Sequence, residues 1–362
     1  MKVLSLFDGM ACGMIAMNLA GVEVESYDAY EIDKYAVKTA QHNFSMIQEH
    51  GDVFSADFKQ YGGVDFMVGG SPCTYWSIAQ TKNRETVASG MGWELFSQYV
   101  RALHEAKPKY FIYENNKSMS KEIRTSIDKA FGFEAVCINS ALVSAQNRQR
   151  LYWVGKRNDD GTYSKVDVKQ PEDRGILLRD ILETGIAWQE KSYNLTTRCN
   201  GAILSDTLKR HTHTMVAESV CVAAAVEYNP LHSCDVVVTD QNIRCTYKDG
   251  SGTAQGYTVT FDDVKSPSVI AGHAHKMKVI ERVTDKKQIP VYEVRGGRIT
   301  IKGKTYPIKL ADGFYIIRKL TVTECKRLQT VPDTYAFPVS DTQAYKMLGN
   351  GWTCEIIGVF DK

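Results

Sequence analysis

Strand and helix signals alternate through the first 155 or so residues of this 362-residue chain, and that alternation narrows its fold more than any other feature. Val3–Phe7 reads as a strand, Gly9 and Gly13 bracket a turn, and a helix follows near Met14–Ala20. Val24–Tyr30 is a second strand and Asp33–His42 a second helix. The apolar run Val64–Val68 and the segment Tyr110–Tyr113 read as strands, with helical spacing at Trp93, Leu95, Phe96, Tyr99, Val100 and Leu103 between them. Ser120–Phe131 is helical in pattern, while Glu134–Leu142 and Leu151–Val154 are extended. Strands that alternate with helices predict an α/β fold with a parallel sheet covered on both faces. Sheets of that kind carry their chemistry just beyond the carboxyl ends of the strands.

Several reactive residues fall at such ends. Gly69-Gly70-Ser71-Pro72-Cys73 follows the run Val64–Val68, so a Gly/Pro turn presents a thiol where a nucleophile can work. Free cysteine is also a common core filler, which is the plain alternative. Phe7-Asp8-Gly9-Met10-Ala11-Cys12-Gly13 leaves the first strand and opens a helix, a place where glycines let the backbone approach a ligand. Glu31 ends the second strand, where a carboxylate can accept from ribose hydroxyls, and Asp52 after Gly51 could accept from an adenine amino group. Either could instead cap the element that follows; in this order the three favour an adenosine-containing cofactor. Glu114 closes Tyr110–Tyr113, and a carboxyl there can hydrogen-bond a heterocycle or move a proton. In Gln146-Asn147-Arg148-Gln149-Arg150 the two arginines alternate along an extended segment and so share a face able to hold an anion or a ring carbonyl.

The texture changes near Lys156. Residues 157–315 are rich in β-branched residues, glycine turns and basic side chains, which predicts a smaller β domain. Val291–Arg295, Gly296-Gly297 and Arg298–Ile301 form a two-residue hairpin signal, and Thr305–Leu310 a further strand. Residues 271–310 hold ten Lys/Arg against three Asp/Glu, a local excess of +7 in a chain of net charge +2. Such a tract suits a phosphate-facing surface or a solvated β face. Helical pattern returns at Thr321–Thr330 and from about Thr353, giving residues 1–156 and 316–362 as one expected catalytic unit. No apolar run approaches the ~20 residues of a membrane span, and Asp8 interrupts the apolar opening, so a cytoplasmic protein is expected. Nine scattered cysteines without a CxxC pair argue for reduced thiols. His211, His213, Cys221, His232 and Cys234 match no common zinc spacing, and no metal is expected.

Taken in register, these motifs resemble the DNA cytosine-5 methyltransferase family over nearly the whole chain. The resemblance rests on Phe7–Gly13, Glu31, Gly51-Asp52, Gly69–Cys73 with Ser77, Glu114-Asn115 and Gln146-x-Arg148-x-Arg150. Two C-terminal blocks complete it, Arg318-Lys319-Leu320-Thr321-x-x-Glu324-x-x-Arg327-Leu328-Gln329-x-x-Pro332-Asp333 and Gly349-Asn350. Phe7-Asp8-Gly9-x-Ala11-x-Gly13, Gly70–Cys73 and Trp352 are most similar to the de novo branch. Thr74-Tyr75-Trp76, Asn116 and Gly351-Trp352 depart from the usual family residues.

The resemblance implies a Rossmann-like S-adenosylmethionine-dependent methyltransferase with a smaller β-rich target-recognition domain. Cys73 would attack carbon 6 of a flipped-out cytosine, Glu114 would hold ring nitrogen 3 and the exocyclic amine, and Arg150 the ring carbonyl, with Arg148 beside it. Phe7, Asp8, Gly9, Gly13, Glu31, Ile32, Asp52, Val53, Pro72, Asn350 and Trp352 would line the cofactor pocket, which releases S-adenosylhomocysteine as product. Ser77, Gln146, Lys286, Lys287, Arg295 and Arg298 would meet DNA, and Thr74–Met91 would close over the base. Duplex DNA is the implied partner, bound by a monomer, with a cognate restriction endonuclease as a further partner. The same chemistry on tRNA, or a catalytically silent DNA-binding paralogue, is the alternative.

Overall fold

The computed structural model describes residues 1–78, 84–219 and 290–358, together with the backbone of four short strands between them. In chain order the first part runs β1 (Lys2–Leu6), α1 (Cys12–Ala20), β2 (Ser26–Tyr30), α2 (Lys34–Asn43), β3 (Ile47–Glu49), β4 (Phe66–Gly69) and α3 (Met91–Ala106). It continues with β5 (Tyr110–Asn116), α4 (Lys121–Phe131), β6 (Val136–Asn139), β7 (Gln149–Arg157) and β8 (Tyr163–Lys165). The strands form one sheet in the order β3-β2-β1-β4-β5-β7-β6, with β8 paired to β7.

The expected parallel arrangement holds from β3 to β5. It fails beyond, because β7 runs antiparallel to β5, β6 and β8, so the sheet is mixed. Strand periodicity reports which residues share a face but carries no direction, and no helix separates β6 from β7 to reverse the chain. The expected strand Val24–Tyr30 is shorter, and β3 had no separate signal in its three residues.

Apolar side chains leave both faces of the sheet. Val3, Tyr27, Ala29 and Val68 pack with Met14, Ile15 and Met17 of α1 on one side. Leu4, Leu6, Met67 and Tyr113 pack with Phe96, Tyr99 and Leu103 of α3 and Ile123 and Ile127 of α4 on the other. Ser120 caps α4 through a bond from the Ile123 amide, and Asp33 caps α2 through the Tyr35 amide.

The second part begins later than its composition suggests. Leu178, Ile181 and Leu195 are buried in the first core, so the chain from 157 to about 195 clothes the catalytic sheet. Then come α5 (Leu204–Arg210), β9 (Met215–Ser219), the antiparallel pairs β10 (Cys234–Val238) with β11 (Ile243–Tyr247) and β12 (Val283–Thr284) with β13 (Lys287–Gln288), and β14 (Val291–Arg295). β15 (Arg298–Ile301), β16 (Lys304–Pro307) and β17 (Gly313–Lys319) follow. A five-stranded antiparallel sheet, β16-β15-β14-β17-β9, encloses Val294, Ile299, Ile301 and Tyr315 in a core of its own. The Gly296-Gly297 hairpin falls where the sequence places it, with Arg295 opposite Arg298.

α6 (Val322–Leu328), α7 (Asp341–Asn350) and α8 (Cys354–Gly358) bring the chain back. Thr321 and Glu324 form a reciprocal capping box at the start of α6. The same Glu324 carboxylate takes the Arg318 guanidinium at 2.9 Å, tying β17 to the helix. α8 packs along α1, Tyr335 donates to the Met10 carbonyl at 2.6 Å, and Lys346 reaches Asp33 at 2.8 Å. The C-terminal segment thus covers the first βα turn; the family resemblance implies a helix around Asn350, while residue periodicity alone does not mark α7.

Candidate active site

Cys73 stands four residues beyond β4, at the start of a single 3-10 turn, Cys73–Tyr75, and is half-buried. The turn before it is forced to be glycine. A Cβ on Gly70 would come within 2.6 Å of the Glu114 carbonyl oxygen, so this close approach is what brings the thiol loop against the end of β5. Ser71 and Tyr113 hydroxyls lie 2.6 Å apart and the Asn115 amide donates to the Ser71 carbonyl at 3.1 Å, fixing the loop to the neighbouring strand.

Glu114 is buried, and its carboxylate meets the Arg150 Nε at 3.0 Å. The antiparallel register makes this pair: Asn116 lies opposite Arg150, and both side chains emerge at the same end of the sheet as Cys73. Burial raises the Glu114 pKa, while Arg150, Arg148 and a hydrogen bond from the Trp352 side chain oppose the rise. Arg148 is more deeply placed. It donates to Asn194 Oδ1 (3.1 Å) and to the carbonyls of Leu195 (2.9 Å), Gly349 (3.3 Å) and Gly351 (2.8 Å). Burial, with the Arg150 charge nearby, pulls its pKa down to about 9. Its Nε is buried without a partner. Two guanidiniums against one carboxylate leave this corner with excess positive charge, an environment for an anion that forms during a reaction.

The first βα turn carries a second set. Phe7, Gly9 and Ala11 all have positive φ (58°, 63° and 60°), a strained course for Phe7 and Ala11 that costs each about 1 kcal/mol or more. Glu31 accepts from the Gly9 amide (2.9 Å) and from the Ile32 and Asp33 amides (2.8 Å each), so it holds the glycine turn as well as ending β2. Asp8 Oδ1 accepts from Ser5 (2.5 Å) and Tyr27 (2.6 Å), while its Oδ2 is buried with no partner. Burial raises the Asp8 pKa to about 6, against the pull of those two hydroxyls and with Glu31 repelling its charge. Ile32 is 78% exposed beside this turn, a large apolar surface awaiting contact. Orphaned acceptor, glycine turn, ribose-type carboxylate and open apolar residue suit a cofactor with a cationic tail and an adenosine head. Asp52 accepts from the Phe54 amide at 3.0 Å and so also caps a 3-10 turn, leaving its other oxygen for a ligand.

Three expectations change. Gln146 does not face DNA. It is fully buried, donating to the Leu328 carbonyl (3.1 Å) and Gln329 Oε1 (3.2 Å) and accepting from the Leu195 amide (2.7 Å), because the segment before β7 is overlain by the C-terminal blocks. Val53, expected to line the cofactor pocket, has its side chain in the core with α3 residues and its carbonyl taken by Arg101 at 2.7 Å. The segment after Cys73 is anchored where it is described. Trp76 is fully buried and donates to Glu85 (3.0 Å), and Arg84 donates to the Ser118 carbonyl (2.8 Å).

Phe7 is half-buried, whereas Pro72 and Asn350 are exposed; Ser77 lies just beyond the 3-10 turn. Arg295 and Arg298 are exposed on their hairpin. Lys286 lies outside the described residues, and of Lys287 the structure describes only its strand. Asn116 is buried with its amide satisfied by Asn115 and Ser118, which accounts for a polar residue at that position. Sequence reasoning missed Glu49, whose two oxygens are buried without partners and whose pKa burial, Asp8 and Glu31 push up to about 8. It missed Gln329 as well. Among the described residues no helix is long and apolar enough to cross a membrane.

The mixed sheet in this strand order, with a separate antiparallel β sheet, is the architecture of a Rossmann-like methyltransferase class. The chain belongs to the C-5 cytosine-specific DNA methylase family, whose sequence profile matches residues 1–359. It is 25% identical to the orphan methyltransferase M.SPRI of Bacillus phage SPR, over 99% of this chain and 95% of that one. It is 26% identical to the Type II methyltransferase M.HpaII of Haemophilus parainfluenzae, over 96% of this chain and 84% of that one. The solved structure of Spodoptera frugiperda DNMT2 shares the fold at a TM-score of 0.55 and 14% identity, covering 100% and 99% of the two chains. The protein is accordingly an S-adenosylmethionine-dependent enzyme that methylates carbon 5 of cytosine in DNA.

Proposed function

We propose that Cys73, Glu114 and Arg150 carry the covalent chemistry on a cytosine flipped out of duplex DNA, with Arg148 holding their frame. The observation that supports this best is the Glu114–Arg150 pair at 3.0 Å beside the Gly70 turn that presents Cys73. Carbon 5 of cytosine is a weak nucleophile. When the Cys73 thiolate adds to carbon 6, the electrons of the 5,6 double bond move into the ring and carbon 5 gains enamine character. Glu114 holds nitrogen 3 and the exocyclic amine, Arg150 takes the ring carbonyl, and the excess positive charge of the corner favours the anionic ring. S-adenosylmethionine supplies an electrophilic methyl group to carbon 5. A base takes the carbon 5 proton, the electrons of that C–H bond re-form the 5,6 double bond, and the carbon 6–sulfur bond breaks to release Cys73 as the thiolate.

Asp8 Oδ2 is the acceptor for the cofactor's ammonium group, Glu31 for the ribose, Asp52 for the adenine amine, with Phe7, Ile32 and Trp352 as apolar walls. Extruding the base costs a few kcal/mol, offset by phosphate contacts from the Arg295–Arg298 hairpin. The enzyme acts as a monomer in the cytoplasm of a prokaryotic or phage-infected cell; its M.HpaII-type likeness supports pairing with a restriction endonuclease of the same target. Duplex DNA containing 5-fluorocytosine tests the assignment. The wild-type chain with cofactor should form a denaturation-resistant adduct that Cys73→Ala does not form, and an adduct on the Ala variant would refute the role of Cys73.

A further inference from the structure

Gln329, directly after α6, is fully buried and uses its whole side-chain amide. Its Nε2 donates to the Leu348 carbonyl at 2.6 Å and to the Gly351 carbonyl at 3.0 Å. Its Oε1 accepts from Gln146 Nε2 at 3.2 Å and from Thr353 Oγ1 at 3.0 Å. An amide has two donors and two acceptor positions, so none is spare. The four bonds reach three stretches of chain that are far apart in sequence: the segment leading to Arg148 and Arg150, the end of α7, and the turn into α8. Arg148 grips the same turn from the other side through Gly349 and Gly351. Gly351 O therefore receives donors from both residues, and the residue that follows is Trp352, whose side chain hydrogen-bonds Glu114. The turn is also closely packed. A Cβ on Gly349 would sit 2.4 Å from backbone atoms of Thr196 and Thr197, and one on Gly351 would sit 3.0 Å from Cys12 Sγ.

We propose that Gln329 is a positioning residue: acting through the Gly349–Trp352 turn and Gln146, it sets Trp352 and Arg148 against Glu114 and keeps the C-terminal wall of the cofactor pocket in register with the catalytic strand ends. The proposal rests on the reading of Glu114 and Trp352 given above. Replacing the amide with a methionine of similar length removes the Gln329 donor from the buried Leu348 carbonyl, leaves the Gly351 carbonyl with Arg148 alone, and frees the turn to shift.

The test counts competent sites by adduct formation with 5-fluorocytosine DNA and expresses kinetics per trapped site. Gln329→Met is expected to raise the KM for S-adenosylmethionine and lower kcat per trapped site, together by about tenfold in kcat/KM. Gln329→Asn, which keeps an amide but is one methylene short, should do the same if the Met variant does not fold. A merely structural role would reduce the number of competent sites and leave the per-site constants at wild-type values, and that result overturns the proposal. Hydrogen exchange on the wild-type chain, where folding is not at issue, supplies the second measurement. S-adenosylhomocysteine should slow exchange in peptides around 327–331 and 347–354 together; protection of one without the other overturns it. A wild-type chain without methyl transfer would instead refute the functional reading itself.

Discussion

Asp8→Asn should make the cofactor-free protein more stable while weakening its hold on the cofactor. Asp8 is buried with one oxygen unpartnered, and burial lifts its pKa from 3.8 to about 6. A carboxyl raised in the folded state favours folding when protonated, so its ionisation costs stability as pH rises from 3.8 through about 6 and the cost is constant above. At ~1.36 kcal/mol per pH unit the full cost is roughly 3 kcal/mol at pH 8, and roughly half of that, about 1.6 kcal/mol, at pH 5. Asparagine keeps an oxygen for Ser5 and Tyr27 but puts an NH2 where Oδ2 lies, at a cost of roughly 1–3 kcal/mol. That cost does not change with pH. The stability difference between variant and wild type should therefore be about 1.4 kcal/mol more favourable to the variant at pH 8 than at pH 5. Urea unfolding of both proteins at the two pH values measures it. Saturating S-adenosylmethionine at pH 8 should stabilise the wild type more than the variant. Equal differences at both pH values would refute the buried, ionising carboxylate; equal stabilisation by the cofactor would refute its contact with the ammonium group.

Glu114→Gln removes the carboxylate charge that pairs with Arg150, so turnover should fall by roughly 10²–10⁴ while S-adenosylhomocysteine still binds; near-normal turnover would show that Glu114 is not the base-holding group. Arg295→Glu combined with Arg298→Glu should lower the slope of log affinity for DNA against log salt by about two or more, and an unchanged slope places the hairpin outside the interface. Gly349→Ala, whose methyl would meet Thr196 and Thr197 at 2.4 Å, should destabilise the fold by about 1–3 kcal/mol, read as a lowered urea midpoint.

What could be read from residue order alone was local. The strand-end positions of Cys73, Glu31 and Glu114 follow from apolar runs and their punctuation, and the Gly296-Gly297 hairpin from turn chemistry. Direction was not legible, so the antiparallel β7 was missed, and with it the opposition of Asn116 and Arg150 that aligns Glu114 with its partner. Gln146 and Gln329 illustrate a second limit. A polar residue beside Arg148 and Arg150 looks like a substrate contact until the structure shows Leu328 and Gln329, far along the chain, folded back to satisfy its amide. α7 has only modest amphipathic contrast, and part of its surroundings comes from far away in the chain, where the 3-10 turn Cys199–Gly201 packs against it and the Leu320 carbonyl accepts from Tyr345. Glu49 is the opposite case. Its environment costs stability, and no local pattern advertises a residue held against its own solvation.

The return of α7 and α8 onto α1 has a consequence for synthesis. Cys73, Glu114 and Arg150 leave the ribosome early, yet Arg148 lacks its Gly349 and Gly351 acceptors, and Glu114 its Trp352 bond, until residues 349–352 emerge. A chain that stops short of residue 349 thus carries Cys73, Glu114 and Arg150 without the turn that Arg148 and Glu114 meet.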